Sequence, residues 1–158
     1  MSETQRSIDA PGGADPTQLP GLTAAWVEDA MHHGILSVPP DTPLREVAHI
    51  LASRRVHCVA LPALQPTART RWALLSALDL VRAAADPDRR ARFGEMTAAE
   101  VAVAEVPTVS TADRLESAMR VMAEAEVEHL VVVRAEDGRP AGILSTLDIA
   151  GAIAGGGA

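Results

Sequence analysis

The stretch Ala73-Leu74-Leu75-Ser76-Ala77-Leu78-Asp79-Leu80 has a close counterpart in Gly142-Ile143-Leu144-Ser145-Thr146-Leu147-Asp148-Ile149. Aligned on Asp79 and Asp148, the two lie 69 residues apart. Each runs from a short apolar, β-prone segment into a serine and then into three residues suited to the first turn of a helix. A second correspondence lies upstream, where Ser37-Val38-Pro39-Pro40-Asp41-Thr42-Pro43-Leu44 matches Thr108-Val109-Ser110-Thr111-Ala112-Asp113-Arg114-Leu115. Leu44 and Leu115 are 71 residues apart, and each opens a helical pattern after a polar stretch. Two matches in the same order mark a duplication. The difference of two residues between the offsets fits a longer loop in the first copy, between Pro62 and Trp72.

Working outward, Leu44, Val47, Ala48, Ile50 and Leu51 have the spacing of an amphipathic helix, with Asp41 or Thr42 as its cap and Pro43 in its first turn. His57 to Leu61 reads as a buried strand. A loop rich in Pro and Arg leads to a second strand, Trp72 to Leu75, and a helix from Ser76 carries Leu78, Leu80 and Val81. In the second copy Leu115, Ala118, Met119 and Met122 line a helix, and His129 to Val133 is a strand. Asp137-Gly138 is a hairpin turn, followed by the strand Ala141 to Leu144 and a helix from Ser145. Residues 1–21, with Pro11-Gly12-Gly13 and Asp15-Pro16, read as a flexible tail. The first repeat spans 22–85, a charged linker 86–96, the second repeat 97–154, and 155–158 a frayed end.

Composition narrows the function. The formal charge of -7 argues against a nucleic-acid partner, which needs a cationic face. All 14 basic residues are Arg, so lysine chemistry, whether a Schiff base, a general base or a P-loop, is excluded. Cys58 is the single cysteine and excludes intrachain disulfides and cysteine-based zinc clusters; within Val56 to Leu61 it reads as a small buried hydrophobe. No apolar run reaches membrane-spanning length and no signal-peptide core leads the chain, so a cytoplasmic location without membrane contact is expected.

The paired Ser76/Asp79 and Ser145/Asp148, each after a buried strand and opening a helix, resemble the signature of the CBS domain (the cystathionine-β-synthase type), over roughly Leu22 to Ala154. The resemblance implies an α+β fold: two β-α-β-β-α modules packed through their small sheets with pseudo-twofold symmetry. It also implies a regulatory module that binds AMP, ADP or ATP, or another adenosyl ligand, between the repeats. A helix N-terminus presents free N–H groups and suits a phosphate, so Ser76 and Ser145 are placed there as hydroxyl donors, joined by Thr146. An ionised carboxylate only accepts hydrogen bonds, so Asp79 and Asp148 suit a ribose diol. The bland alternative is that each Ser-x-x-Asp is a helix cap with its carboxylate in the first turn.

Departures from the family pattern rank the two sites. Gly142 keeps the glycine that lets backbone approach a ligand, whereas Ala73 stands at the matching place, so the Ser145/Asp148 site is favoured. Trp72 is read as core packing. Ala60 and Val131 replace the family's usual proline on the middle strand. His57 and His129 stand where phosphate contacts are common, Glu128 would repel phosphate, and the histidines are mostly neutral at pH 7. This favours a monophosphate, AMP, over a triphosphate. Arg69, Arg71, Arg134 and Arg139 are further candidate contacts, and Val38 and Val109 would wall an adenine pocket. His32-His33 reads as a solvated turn and not as a metal pair. With no nucleophile elbow, P-loop or zinc motif, an enzyme is not expected. No cofactor is required. A homodimer through the helices near Leu80-Val81 and Ile149–Ile153 is expected, signalling to a separate protein effector. A ligand-free scaffold that binds a protein partner is the rival reading.

Overall fold

The computed structural model describes residues 19–62 and 72–155. Two short helices, α1 (Pro20–Thr23) and α2 (Val27–Ala30), lead into a two-residue strand, β1 (His32–His33). The first repeat continues with α3 (Leu44–Arg54), β2 (Cys58–Leu61), β3 (Ala73–Ser76) and α4 (Ala77–Ala85). After α5 (Pro87–Arg92) and α6 (Ala98–Val101), the second repeat follows as β4 (Thr108–Ser110), α7 (Leu115–Ala125), β5 (His129–Val133), β6 (Pro140–Ser145) and α8 (Thr146–Gly155). Of the expected tail 1–21, residues 1–18 lie outside the described residues, as do the loop 63–71 with Arg69 and Arg71 and residues 156–158 of the expected frayed end 155–158; Pro20 and Gly21 instead open α1, and Gly155 closes α8. Helix α5 occupies the stretch expected as linker, capped by Asp86, which accepts from Arg89 N at 2.9 Å.

The helical spacing read from sequence is the spacing that is buried. Leu44, Val47 and Leu51 of α3 enter one core with Val59, Leu61 and Leu75. Leu115, Ala118 and Met122 of α7 enter the other, with Leu130, Val132 and Leu144. Both helices end on a non-glycine residue in the left-handed region, Arg55 (φ 54°) and Glu126 (φ 52°), again 71 residues apart. In the second repeat β4 runs parallel to β5, with α7 as the crossover, and β5 pairs antiparallel with β6. The hairpin turns at Gly138 (φ 68°), whose N–H reaches Arg134 O at 2.9 Å.

In the first repeat β2 pairs antiparallel with β3, but the expected leading strand at Ser37-Val38 shrinks to one parallel bridge, Ser37 to Ala60. The next rung would need N–H groups from Pro40 and Pro62, which have none. The expected cap of α3 also differs. Pro43 is the N-cap residue, and the Thr42 hydroxyl turns back to Pro39 O at 2.7 Å.

The two repeats exchange their leading segments. Strand β1 pairs with β6 of the second repeat, while Val103 bridges to Leu74 on β3 of the first. Leu44 N donates to Met96 O and Leu115 N to Ala25 O, both at 3.0 Å, so each long helix has its first N–H satisfied by the other repeat's lead-in. Leu22, Val27 and Met31 lie in the core around α7, and Met96 and Ala98 in the core around α3. Arg114 stacks over Trp26 with its guanidinium 3.7 Å from the ring centroid. The sheets meet across a third cluster of Ala60, Leu74, Val106 and Val131, with Ile35, Trp72 and Ile143 packed against it. Trp72 is thus a packing residue, as read from sequence.

Candidate ligand-binding site

Strands β3 and β6 end on their serines, and α4 and α8 begin immediately after, because each serine-aspartate pair closes a capping box. Ser76 N and Oγ donate to Asp79 Oδ2 at 2.8 and 2.7 Å, and Asp79 N donates back to Ser76 Oγ at 3.2 Å. Ser145 repeats this with Asp148 at 2.7, 2.7 and 3.3 Å. The expectation of free serine donors is therefore corrected. Each hydroxyl proton is spent on the carboxylate that folds back from one turn on, and each aspartate keeps one oxygen, Oδ1, for other work.

Those remaining oxygens differ. Asp79 Oδ1 faces Arg82 at 3.6 Å, a long contact with a largely exposed guanidinium. Asp148 Oδ1 instead meets His32 Nδ1 at 2.9 Å. His32-His33 is an edge strand and not the expected turn, because its backbone pairs with Ile143 and Gly142. That pairing also reassigns Gly142: a Cβ there would lie 2.0 Å from His32 O and 3.0 Å from His32 C. The close approach that Gly142 permits is that of β1.

A cavity of about 460 Å³ lies at the Ser76/Asp79 pair. Leu74, Val103, Val106 and Val127 give it apolar walls, and Asp79, Arg82, Glu126, Glu128 and His129 supply its charged and polar groups. A smaller cavity of about 210 Å³ lies between the repeats, where His57, Ser76, Glu128, His129, Ser145 and Thr146 converge. Six of the ten residues singled out from sequence thus line one or both cavities: Ser76, Asp79, His57, His129, Ser145 and Thr146. Asp148 borders a separate hollow beside α8, with Asp29 and Gly151. Val38 and Val109 are buried inside the two module cores and line none of these spaces. Arg134 and Arg139 sit on the exposed β5–β6 hairpin, where Arg139 Nε lies 3.7 Å from Asp137.

Burial lowers the affinity of His129 for its proton, with the Glu128 carboxylate opposing and His57 adding to the effect. The imidazole is neutral at pH 7 and offers little charge to a phosphate. Cys58, expected as a small buried hydrophobe, is half-buried, and its thiol is pushed up to about 12 by burial and by the nearby Asp79 carboxylate. Among the described residues, no group of three or more His, Cys, Asp or Glu could hold a metal ion, and no helix is long and apolar enough to cross a membrane. Sequence reading missed His32, Arg82, Val103, Val106 and Glu126. Extending the 71-residue offset upstream of Ser37 would have aligned His32 with Val103.

Each repeat ends in a capped helix that follows its sheet, and the two repeats, related by a pseudo-twofold axis, form a tandem of matching α+β modules. The CBS domain family model matches residues 27–63 and 98–155, more than half of the chain, and the chain belongs to this family. No curated protein matches it. A CBS-domain-containing protein from Agrobacterium tumefaciens is similar in structure, at 22% identity and a TM-score of 0.68, covering 81% of this chain and 98% of that one. A CBS domain protein from Pyrobaculum aerophilum, complexed with AMP, shares 28% identity with a TM-score of 0.62, covering 78% and 89% of the two chains. CBSX2, also in complex with AMP, shares 21% identity with a TM-score of 0.62, covering 82% and 96%.

Proposed function

We propose that this chain is a non-catalytic regulatory module that binds an adenine nucleotide or related adenosyl ligand, AMP foremost, at the Ser76/Asp79 cavity. The observation that carries the reading is Asp79 itself. Its buried carboxylate spends Oδ2 on the cap, keeps Oδ1 in only a long contact with Arg82, and with it lines a cavity with apolar walls, suited to a ribose diol beside a flat base. The cavity draws on both repeats, proposed as 22–85 and 97–154 around the linker 86–96. Phosphate would extend toward the central space shared by His57, His129, Ser145 and Thr146. With Glu128 there and His129 neutral, one phosphate suits it better than three. The AMP complex of the Pyrobaculum relative supports the choice of ligand.

The same reading includes a homodimer through α4 and α8, which leave Val81 61%, Leu147 63% and Ile153 45% exposed. It also includes a separate protein effector and a cytoplasmic setting. The rival, a ligand-free scaffold for a protein partner, is favoured by one fact: both Ser-Asp pairs are complete as caps without any ligand.

A thermal-shift panel with AMP, ADP, ATP, adenosine and S-adenosylmethionine tests the proposal. A ligand at 100 times its Kd stabilises by about 2.7 kcal/mol. Stabilisation by AMP that is lost in Asp79→Asn is the expected result. No shift with any of the five would leave the scaffold reading. Sedimentation at micromolar concentration tests the dimer, and a monodisperse monomer would overturn it.

A further inference from the structure

Asp79 and Asp148 hold equivalent places in the two repeats, with matching capping boxes, and each borders a cavity, yet their Oδ1 atoms meet different partners: Arg82 at 3.6 Å for Asp79 and His32 Nδ1 at 2.9 Å for Asp148. The difference comes from the exchanged lead-in segments. Val103 bridges to Leu74 beside Asp79, and His32 pairs with Ile143 beside Asp148. Leu74 and Ile143 match at the 69-residue offset, and Val103 and His32 at the 71-residue offset. A valine offers a carbon wall and no hydrogen bond, which leaves Asp79 Oδ1 only the long contact with Arg82 at 3.6 Å. A histidine at the same place delivers an N–H, and Nδ1 lies 2.9 Å from Asp148 Oδ1.

We infer that His32 is a resident occupant of the second site, an intrachain hydrogen-bond partner that takes the Asp148 oxygen a ligand hydroxyl would need and so restricts the module to one working site. Three features support it. Asp148 Oδ2 already accepts from Ser145 N and Oγ, so Oδ1 is the oxygen left for a ligand. The strand that carries His32 is held tight, because Gly142 lets its backbone come closer than any side chain would allow. The first site's cation, Arg82, has Gly151 as its counterpart, so the matching position of the second repeat supplies no arginine to Asp148. The His32 side chain is 77% exposed, so the contact is a competitor and not a permanent seal. Displacing one charge-assisted hydrogen bond weakens the second site by about tenfold or more.

The inference rests on the proposed binding of an adenosyl ligand, and the test separates the two. AMP is titrated calorimetrically into wild type, His32→Val and the His32→Val/Asp79→Asn double variant. Valine copies Val103 and is compatible with the strand. One equivalent for wild type, two for His32→Val, and one for the double variant are expected. Two equal sites in wild type, or one equivalent in both wild type and His32→Val, overturn the role of His32. If wild type binds no AMP, the proposed function falls, and carbodiimide-driven amide labelling read by peptide mass spectrometry still decides the His32 contact. Asp148 should label in His32→Val and be protected in wild type, whereas equal labelling in both overturns it.

Discussion

Replacing Gly142 with alanine separates two explanations of the same glycine by the sign of one number. If the open side of Gly142 served a ligand, the ligand-free protein would gain from alanine, because glycine within a strand costs about 0.5–1 kcal/mol relative to it. The structure implies the opposite. The new Cβ would stand 2.0 Å from His32 O and 3.3 Å from His33 Cα, both backbone atoms that cannot rotate away. Strand β1 would have to retreat by more than about an ångström to reach ordinary contact. That retreat stretches the bond from Gly34 N to Ala141 O, now 2.8 Å, and pulls His32 Nδ1 away from Asp148. Overpacking of this kind costs about 1–3 kcal/mol. For a chain of this size that is a fall in Tm of roughly 3–10 °C. Circular dichroism melting of ligand-free wild type and Gly142→Ala measures it, and hydrogen exchange at the Gly34 amide locates the loss. An unchanged or raised Tm with Gly34 still protected would refute the assignment of Gly142 to β1. The reverse change, Ala73→Gly, removes a methyl group where the matching lead-in makes only an isolated bridge, Val103 to Leu74, and should cost only about 0.5–1 kcal/mol, the ordinary penalty of a strand glycine.

The caps, the buried imidazole and the thiol give further outcomes. Ser76→Ala removes a cap worth about 0.5–2 kcal/mol, and urea unfolding should show it costing more than Ser145→Ala, because the hydrogen bonds of Ser76 are buried while those of Ser145 are part-buried. His129 has its folded-state pKa lowered, so the unfolded chain takes up the proton first. Stability is full above the ordinary histidine pKa and is lost as pH falls through it, and Tm measured from pH 8 to 5 should decline less steeply in His129→Gln. Cys58, with its thiol pushed up to about 12, should resist iodoacetamide at pH 8 in the native protein and react once unfolded. Rapid native labelling would contradict the burial assigned to it.

Much of the architecture was legible before any coordinates. The Ser-x-x-Asp duplication gave the two repeats their register. The i, i+3, i+4 spacing of Leu44, Val47 and Leu51 predicts the buried face of α3, and Asp137-Gly138 predicts the β5–β6 hairpin, because both depend on neighbours within a few residues. The division of labour between serine and aspartate was only half legible. Ser-x-x-Asp encodes the cap and the helix start together, and which carboxylate oxygen stays free depends on what lies across from it.

The local, repeated chemistry of this protein is thus determined by sequence alone: the helix faces, the capping boxes, an aliphatic core and a surface without lysine. Tertiary structure alone decided that the lead-in segments trade places, that Gly142 makes room for β1, and that Asp148 Oδ1 meets His32 at 2.9 Å while Asp79 Oδ1 has only a long contact with Arg82. A two-residue strand has no periodicity to betray it. The partners of these contacts lie far apart in the chain, so no local pattern carries them, and only the packing of one repeat against the other brings them within reach.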